Sequence, residues 1–336
     1  EASGRTSKGG EMINSGILGI GTYLPEKVLT NFDMEKIVDT TDEWIVSRSG
    51  IRNRHVVAEG QATSDISVIA AQRALENAGL EAKDIDMFIV ATATPDMLFP
   101  STACIVASKL GIVGPPAFDI AAGCTGFVYA LTLANSFIKS GIHKRILVIG
   151  AESLTRILDW TDRSTCVLFG DGAGAVIVGE TERNGIVHSV LGADGSGGHN
   201  LTLPAGGSAL PASHETVDKR LHYVHMNGPE VFKFAVRAMA KSCKEVLEKA
   251  GMTSADINWF VPHQANIRII ESASHKLGIP MEKVLVTLDK TGNTSAATIP
   301  ITIDMAVKEG KIKKGDKLLA VAFGAGLTWG AVVLEW

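Results

Sequence analysis

The sequence predicts an α/β protein made of two similar halves, stacked so that central helices lie between two sheets. Apolar runs typical of strands alternate with helical patterns along most of the chain. A short pattern also recurs: ENAGLEAKDIDMFIV at 76–90 is followed by EKAGMTSADINWFV at 248–261. Six positions are identical at a constant shift of 172 (248 − 76 = 172). The repeat predicts a duplicated helix–turn–strand unit.

A second match predicts where an active site lies. Gly123-Cys-Thr125 opens an apolar stretch in the first half, and Gly292-Asn-Thr294 opens one in the second. Their shift is 169 (293 − 124 = 169). A duplicated unit with a Cys on one half and an Asn on the other predicts a site where the halves meet.

The elements follow from these patterns in chain order. Continuous apolar runs suit strands buried on both faces, and they predict strands at 17–20, 87–93, 146–151, 174–178, 259–262, 317–322 and 331–334. Helical patterns lie between them, at 64–78, 103–110, 125–140, 231–250, 267–277 and 299–309. Residues 194–213 lack periodicity and predict a surface excursion between the halves. The expected organisation is a tag or flexible tail at 1–11, an N-terminal half at 12–183 and a C-terminal half at 184–336.

Bulk properties exclude several classes of protein. The chain has 336 residues, 46% of them hydrophobic, and a net charge of −4, which argues against a nucleic-acid surface. Its four cysteines form no CxxC pair, so reduced thiols in a cytoplasmic protein are expected rather than disulfides or a metal site. The polar start at 1–11 is not a signal peptide. The uncharged run at 120–138 is long enough for a membrane helix but contains polar residues, and burial inside the protein is expected instead.

Three residues at turns before helices are candidates for chemistry. Cys124 follows an apolar segment and a glycine, and a helix N-terminus would lower the pKa of its thiol. His263 directly follows an apolar strand, and Asn293 follows a glycine turn. Taken alone, each residue also has a purely structural explanation: the cysteine as a small buried residue, the histidine as a hydrogen-bonded structural residue and the asparagine as a turn residue. Together, in a duplicated fold, they predict one site.

Two glycine-rich stretches, at 169–174 and 323–326, lack the features of a nucleotide site. Neither has a Walker lysine or the strand–GxGxxG–helix context of a dinucleotide site. Both stretches are expected to let neighbouring backbones pack closely. The stretch at 323–326 is also expected to direct backbone N–H groups into the site.

Four motifs together resemble one family. They are GCTGF at 123–127, PHQAN at 262–266, GNTSAA at 292–297 and FGAGLTWG at 323–330, with DEWI at 42–45 in support. The set is similar to β-ketoacyl-acyl-carrier-protein synthase III, a thiolase-fold condensing enzyme of bacterial fatty acid biosynthesis, over residues 16–336. The resemblance implies a thiolase-like α-β-α-β-α sandwich and an acyltransferase that is a cytoplasmic homodimer.

The same resemblance implies a reaction and a role for each site residue. An acyl-CoA primer would acylate Cys124, and decarboxylative condensation with malonyl-acyl-carrier protein would give a 3-oxoacyl product, with no cofactor. His263 and Asn293 would donate hydrogen bonds to the malonyl thioester oxygen. The N–H groups of Cys124 and Ala325 would form the oxyanion hole. Many members have three glycines where this chain has Ala325 between two, a change that leaves the N–H available.

Other residues match the family's substrate contacts. Trp44, Arg48 and Arg163 match positions that hold the nucleotide end of coenzyme A. Phe99 matches a residue that lines the acyl pocket across the dimer interface, and it weakly favours a short primer.

A basic stripe predicts where a carrier protein docks. Spacings of four, four and three residues place four cations on one face of the helix at 231–250, and a fifth follows the His263 motif. A solvated helix face is the simpler explanation, and a dock for an acidic acyl carrier protein is the functional one. The residues are Lys233, Arg237, Lys241, Lys244 and Arg268.

Four alternatives stay open at this point. The order and spacing of Cys124, His263 and Asn293 also match papain-like cysteine hydrolases, although no CGSCW-type sequence surrounds the cysteine. A polyketide-type condensing enzyme would share the three residues. An acyl-binding module on the same fold would not need them intact. Thiolase itself would need a second cysteine within 323–330, which holds none.

Overall fold

The computed structural model describes residues 13–182 and 185–336. The predicted tail at 1–11 and the predicted boundary at 183 and 184 lie outside the described residues. The strands are β1 (Asn14–Tyr23), β2 (Lys27–Thr30), β3 (Asn53–Val56), β4 (Met87–Ala91), β5 (Ala117–Ile120), β6 (Arg145–Glu152), β7 (Gly172–Thr181), β8 (Ile186–Ala193), β9 (Leu201–Thr202), β10 (His225–Met226), β11 (Trp259–Pro262), β12 (Lys317–Gly324) and β13 (Thr328–Glu335). The α-helices are α1 (Asn31–Met34), α2 (Asp42–Ser49), α3 (Thr63–Ala78), α4 (Thr102–Lys109), α5 (Gly126–Lys139), α6 (Arg163–Cys166), α7 (His214–Asp218), α8 (Gly228–Lys249), α9 (Ile267–Leu277), α10 (Leu288–Thr291) and α11 (Thr298–Lys308).

Two sheets share one topology. The first has the order β1-β7-β6-β4-β5, and the second has the order β8-β13-β12-β11. In both, the strand pair that follows the repeated segment is parallel (β4 with β6, β11 with β12), and the other pairs of the common order are antiparallel. The duplication seen in the sequence is therefore a duplication of sheet topology, with β5 as an extra edge strand.

Helices form three layers around these sheets. Helices α5 and α11 lie between the sheets, and the central core joins Phe127 and Ile299 to Val148 of the first sheet and Val332 of the second. Helices α3 and α4 cover the outer face of the first sheet, while α8 and α9 cover that of the second. The prediction of an α-β-α-β-α sandwich is confirmed.

The uncharged run at 120–138 is explained by this layering. It forms β5's last residue, a short turn and most of α5, whose apolar residues are buried from both sides by sheets. Across 13–182 and 185–336, no helix is long and apolar enough to cross a membrane. The expectation of a buried helix is confirmed.

The structure corrects the register of the second sequence match. A 3-10 turn at Gly123–Thr125 leads into α5, and its counterpart at Ser295–Ala297 leads into α11. That shift is 172 (295 − 123 = 172), the same as for the first match. The shift of 169 that paired Cys124 with Asn293 was wrong: Asn293 precedes its turn, whereas Cys124 lies inside the other.

The segment 194–213 also differs from expectation. It follows β8, which pairs with β13 in the second sheet, so it lies within the second half rather than between the halves. It contains a 3-10 turn at Gly195–Asn200 and the strand β9, although most of it is exposed. The strand β8 was missed because its buried and part-exposed residues do not form a continuous apolar run.

Candidate active site

A cavity of about 360 Å³ lies where the two halves meet. Cys124 comes from the turn before α5, His263 from the end of β11, and Asn293 from the loop before α11. All three line the cavity, together with Phe323 and Gly324 from the end of β12. The fold thus brings together the three residues that the sequence singles out for chemistry.

The turn that carries Cys124 is locked against the loop that carries Ala325. Gly123 has φ 51°, a left-handed conformation that favours glycine. A Cβ on Gly123 would lie 2.8 Å from the Ala325 nitrogen, and a Cβ on Gly324 would lie 2.5 Å from the Cys124 nitrogen. Glycine at both positions therefore lets the Cys124 and Ala325 backbones approach each other at the cavity wall.

The thiol of Cys124 is less acidic than the sequence predicts. The residue is half-buried overall, but burial of its thiol raises the pKa to about 12. The Ser295 side chain opposes this shift by a hydrogen bond, and the charge of Glu152 adds to it. The expected lowering of the pKa by the helix start was wrong, because desolvation of the buried thiol outweighs it.

His263 is held as a neutral imidazole. Its Nδ1 lies 2.7 Å from the Thr298 hydroxyl, and burial lowers its pKa to about 3. Among the described residues, its buried Nε2 has no hydrogen-bond partner. In the tautomer in which Thr298 donates to Nδ1, the ring proton lies on Nε2. Phe323 packs edge-on against the ring at a centroid distance of 5.3 Å.

Asn293 is fixed by its backbone and by its own side chain. Its N–H donates to the Leu168 carbonyl at 2.9 Å, and its carbonyl accepts from the Gly170 N–H at 3.0 Å. Its side-chain oxygen accepts from the Ser295 N–H at 2.8 Å. Because the oxygen is engaged, the amide nitrogen is the end left to donate to a ligand.

Trp44 lines the cavity, and two arginine side chains lie over its ring. The Cζ of Arg48 is 5.5 Å from the centroid of its ring, and the Cζ of Arg163 is 4.8 Å away. Trp44 and Arg48 line the cavity, while Arg163 also donates to the Asp39 carbonyl at 2.7 Å. Trp44 and the two arginines therefore offer a ligand an aromatic ring to stack on and positive charge to bind.

The basic stripe begins on α8 directly after Val231 and Phe232, which line the cavity. Lys233, Arg237, Lys241 and Lys244 are all exposed along α8. Arg268 lines the cavity itself and lies 5.8 Å from the Phe232 ring centroid. Of these five cations, only Lys233 forms an ion pair within 13–182 and 185–336, with Glu230 at 2.7 Å.

Phe99 lies outside the cavity. Its side chain is 84% exposed in the connection between β4 and α4, and it is not among the lining residues. Within a single chain, Phe99 therefore does not line the candidate site.

Sequence reasoning missed three residues behind the cavity. Thr298 orients His263, Ser295 contacts the Cys124 thiol, and Glu152 is a fully buried carboxyl group that accepts from Ser295. Ser295 lies inside the GNTSAA motif, and Glu152 ends a continuous apolar strand. A charged residue at the end of a buried strand was the available signal for Glu152.

Comparison with known proteins agrees with this geometry. Residues 118–195 match the family 3-oxoacyl-[acyl-carrier-protein] synthase III, and residues 247–336 match the C-terminal region of the same family. The chain is 58% identical to the β-ketoacyl-[acyl-carrier-protein] synthase III of Caldanaerobacter subterraneus subsp. tengcongensis, over 97% of this chain and 99% of that one.

Two further comparisons extend over the same length. Identity to the β-ketoacyl-[acyl-carrier-protein] synthase III of Clostridioides difficile is 53%, over 96% of this chain and 98% of that one. The crystal structure of 3-oxoacyl-[acyl-carrier-protein] synthase III from Aquifex aeolicus VF5 superposes with a TM-score of 0.89 at 50% identity, covering 96% of this chain and all of that one. The chain therefore belongs to the β-ketoacyl-acyl-carrier-protein synthase III family.

Proposed function

We propose that this chain catalyses the initiating condensation of fatty acid biosynthesis. An acyl-CoA primer acylates Cys124, and the acyl group then condenses with malonyl-acyl-carrier protein to give a 3-oxoacyl-acyl-carrier protein, CO2 and CoA. The observation that carries this assignment is the convergence of three groups on one cavity: a cysteine, a His263 Nε2 that has no hydrogen-bond partner among the described residues, and an oriented Asn293 amide.

In the first half-reaction, the Cys124 sulfur attacks the thioester carbonyl of the primer and CoA leaves. Negative charge develops on the carbonyl oxygen in the tetrahedral intermediate, and fixed donors stabilise it there. The N–H groups of Cys124 and Ala325 are the proposed donors, since their backbones approach each other at the cavity wall. Trp44 with Arg48 and Arg163 would stack on and neutralise the nucleotide end of CoA.

In the second half-reaction, malonyl-acyl-carrier protein replaces CoA. Loss of CO2 leaves an enolate whose oxygen carries the charge, and His263 Nε2 and the Asn293 amide nitrogen donate to it. The enolate carbon then attacks the acyl carbonyl on Cys124, the C–Sγ bond breaks, and the departing thiolate takes a proton from water to restore the thiol. Because these steps need only a thiol and hydrogen-bond donors, we propose that no cofactor takes part.

Product analysis tests this function against a cysteine hydrolase. Intact-protein mass spectrometry after incubation with a panel of acyl-CoAs should show one added acyl group, and that group should reappear in a 3-oxoacyl product after malonyl-carrier protein is added. Free acid as the main product would instead support hydrolysis. The panel would also give the primer chain length and branching.

We further propose that the basic stripe and Arg268 dock the acidic carrier protein. Arg268 connects the stripe to the cavity mouth, where a carrier arm would enter. Complementary charge raises encounter rates and loses strength with salt.

Reversing Lys233, Arg237 and Arg268 to Glu should lower kcat/KM for malonyl-carrier protein about tenfold or more, as expected when steering is lost. Acylation by a small acyl-CoA should change much less, because that step needs no carrier. A matched triple reversal of the exposed Lys36, Lys313 and Lys314 controls for net charge. If the rates of both half-reactions fell equally, or if neither rate fell, this surface would not be the docking site.

A homodimer is the proposed assembly in the cytoplasm, with Phe99 reaching the partner's acyl pocket. β5 is an edge strand of the first sheet, and the chain between β4 and β5 carries exposed apolar side chains: Leu98 is 81% exposed, Phe99 84% and Val113 98%. Exposed apolar groups of this size are typical of interfaces.

Changing Leu98 and Val113 to Glu should convert a dimer into a monomer of 35.5 kDa in light scattering after size exclusion. Val217→Glu, at another apolar position that is 61% exposed, should leave the dimer intact. A wild-type monomer, or a double variant that stays dimeric, would contradict this interface.

A further inference from the structure

A buried carboxyl group joins the two halves of the fold behind the active site and has no role in the chemistry above. Glu152 ends β6 and is fully buried. Its Oε2 accepts from the Thr94 hydroxyl at 2.7 Å, after β4, and its Oε1 accepts from the Ser295 hydroxyl at 2.8 Å, in the turn before α11. The Ala93 N–H donates to the same group at 3.1 Å. Both carboxylate oxygens therefore have donors, as burial of such a group requires.

The hydrogen bonds continue from Ser295 to Asn293. The N–H of Ser295 donates to the Asn293 side-chain oxygen at 2.8 Å, which leaves the amide nitrogen as the end available to a ligand. Ser295 thus bonds Glu152 through its hydroxyl and the Asn293 amide through its backbone. The orientation of the amide therefore depends on where the carboxyl group holds Ser295.

The backbone of Ser295 needs such an anchor because its conformation is unfavourable. Its φ is 49°, in the left-handed region that residues other than glycine rarely adopt. Strained conformations of this kind persist only where the surrounding structure holds them. The bond from its hydroxyl to Glu152 holds the residue against the first sheet.

The duplicated turns differ at the two positions that form this anchor. Strand β12 aligns with β6 at the shift of 172, because each pairs in the same register with β11 or β4. At that shift Ser295 corresponds to Gly123 (295 − 123 = 172) and Glu152 to Gly324 (324 − 152 = 172). One half therefore has two glycines where the other has a hydroxyl and a carboxyl group that bond each other. The glycines make room for the Cys124 backbone, whereas the polar pair fixes the turn of the other half.

Strand β6 lies directly against that turn. Gly150 comes two residues before Glu152, so both face the same side of the strand. A Cβ on Gly150 would lie 2.2 Å from the Ala296 carbonyl oxygen. Glycine at this position therefore lets the strand come close enough for Glu152 to reach the Ser295 hydroxyl.

We propose that Glu152 is a positioning residue for decarboxylation: it holds Ser295, and Ser295 orients the Asn293 amide toward the enolate oxygen. Glu152 is not among the cavity-lining residues, so it acts through Asn293 rather than on the substrate. Its charge raises the pKa of the Cys124 thiol, so removing that charge should not slow acylation. This inference rests on the proposed function, because it concerns the decarboxylation step.

Glu152→Gln and Ser295→Gly test this link. A glutamine has one acceptor oxygen, so it cannot accept from both Thr94 and Ser295. Glycine fits the left-handed turn, as Gly123 does in the other half, but has no hydroxyl. Each variant should release CO2 from malonyl-carrier protein about 10- to 100-fold more slowly, because a misplaced group loses that much rate. Each should gain acyl mass from acetyl-CoA at least as fast as the wild type.

The assay conditions and the choice of glycine sharpen this comparison. Burial raises the pKa of Glu152 to about 7, so assays at about pH 8.5 compare each variant with the ionised carboxylate. If the turn needed only its backbone conformation, Ser295→Gly would keep the full rate of CO2 release. Ser295→Gly also carries the test if Glu152→Gln fails to fold, because glycine relieves the strain at this position.

A double-mutant cycle separates positioning from general damage. In an Asn293→Ala background, Glu152→Gln should slow CO2 release by less than about twofold more, since the group that it positions is gone. Asp304→Asn removes another buried carboxyl group, one bonded to Thr22 and Lys308, and should keep both wild-type rates. Wild-type CO2 release by both single variants, or an undiminished further loss in the Asn293→Ala background, would overturn the positioning role.

The Asn293 amide also gives a readout that does not depend on turnover. In protein with isotope-labelled asparagine, the NMR signals of this side chain are assigned by their loss in Asn293→Ala. They should shift in Glu152→Gln and stay in place in Asp304→Asn. A wild type that releases no CO2 from malonyl-carrier protein would overturn the proposed function instead. The NMR comparison would then decide the positioning role by itself, and unshifted signals in Glu152→Gln would overturn it.

Discussion

Replacing Cys124 by alanine is expected to abolish acyl transfer while leaving CoA binding largely intact. The alanine cannot form a thioester, so the gain of acyl mass from a short acyl-CoA should fall to background. Loss of a covalent nucleophile costs turnover on the order of 10⁶-fold. CoA binding should persist because Trp44, Arg48 and Arg163, the proposed contacts of its nucleotide end, are unchanged. Intact-protein mass spectrometry and calorimetric titration with CoA measure the two properties.

Two other cysteines provide controls for this experiment. Cys104 is exposed and would be acylated first if simple reactivity decided the site, whereas Cys166 is fully buried away from the cavity lining. Cys104→Ala and Cys166→Ala should both gain acyl mass at the wild-type rate. Acyl mass on Cys124→Ala that disappears only when Cys104 is also removed would place the nucleophile elsewhere.

The sequence predicts the layers of this fold well because its signals are local. Strands buried on both faces, such as 259–262, are continuous apolar runs and are recognisable alone. The strand β8 was missed because its burial alternates irregularly, and its place in the sheet depends on pairing with β13. The second sequence match was misread by three residues because GCT and GNT look alike, whereas backbone conformation aligns Gly123 with Ser295.

The chemistry of the site was harder to foresee because it depends on distant contacts. Ser295 and Glu152 are 143 residues apart in the chain, and no spacing rule joins them. The pKa of the Cys124 thiol was mispredicted for the same reason. A helix start after Cys124 is visible in the sequence and favours a thiolate, but the burial that raises the pKa to about 12 exists only in the folded cavity.

Alanine at His263 or at Asn293 is expected to separate the two half-reactions. Both groups are assigned to the enolate oxygen, so each variant should still take up acyl mass at Cys124. Decarboxylation of malonyl-carrier protein should fall about 10²–10³-fold, or about 3–4 kcal/mol, for each lost donor. His263 should act as a neutral donor from pH 5 to 9, because its pKa of about 3 leaves the ring uncharged above that value. Release of labelled CO2, beside acyl mass, measures both steps.

Thr298→Val provides the graded control, because it removes the hydroxyl that orients His263 and leaves both donors in place. Its decarboxylation rate should fall between those of the wild type and His263→Ala, with acylation unchanged. The opposite pattern would be loss of acylation with decarboxylation retained in His263→Ala. In that case the imidazole would be the base that activates Cys124, as in a cysteine hydrolase. Burial lowers the pKa of His263 to about 3, which makes the imidazole a weak base and argues against that role.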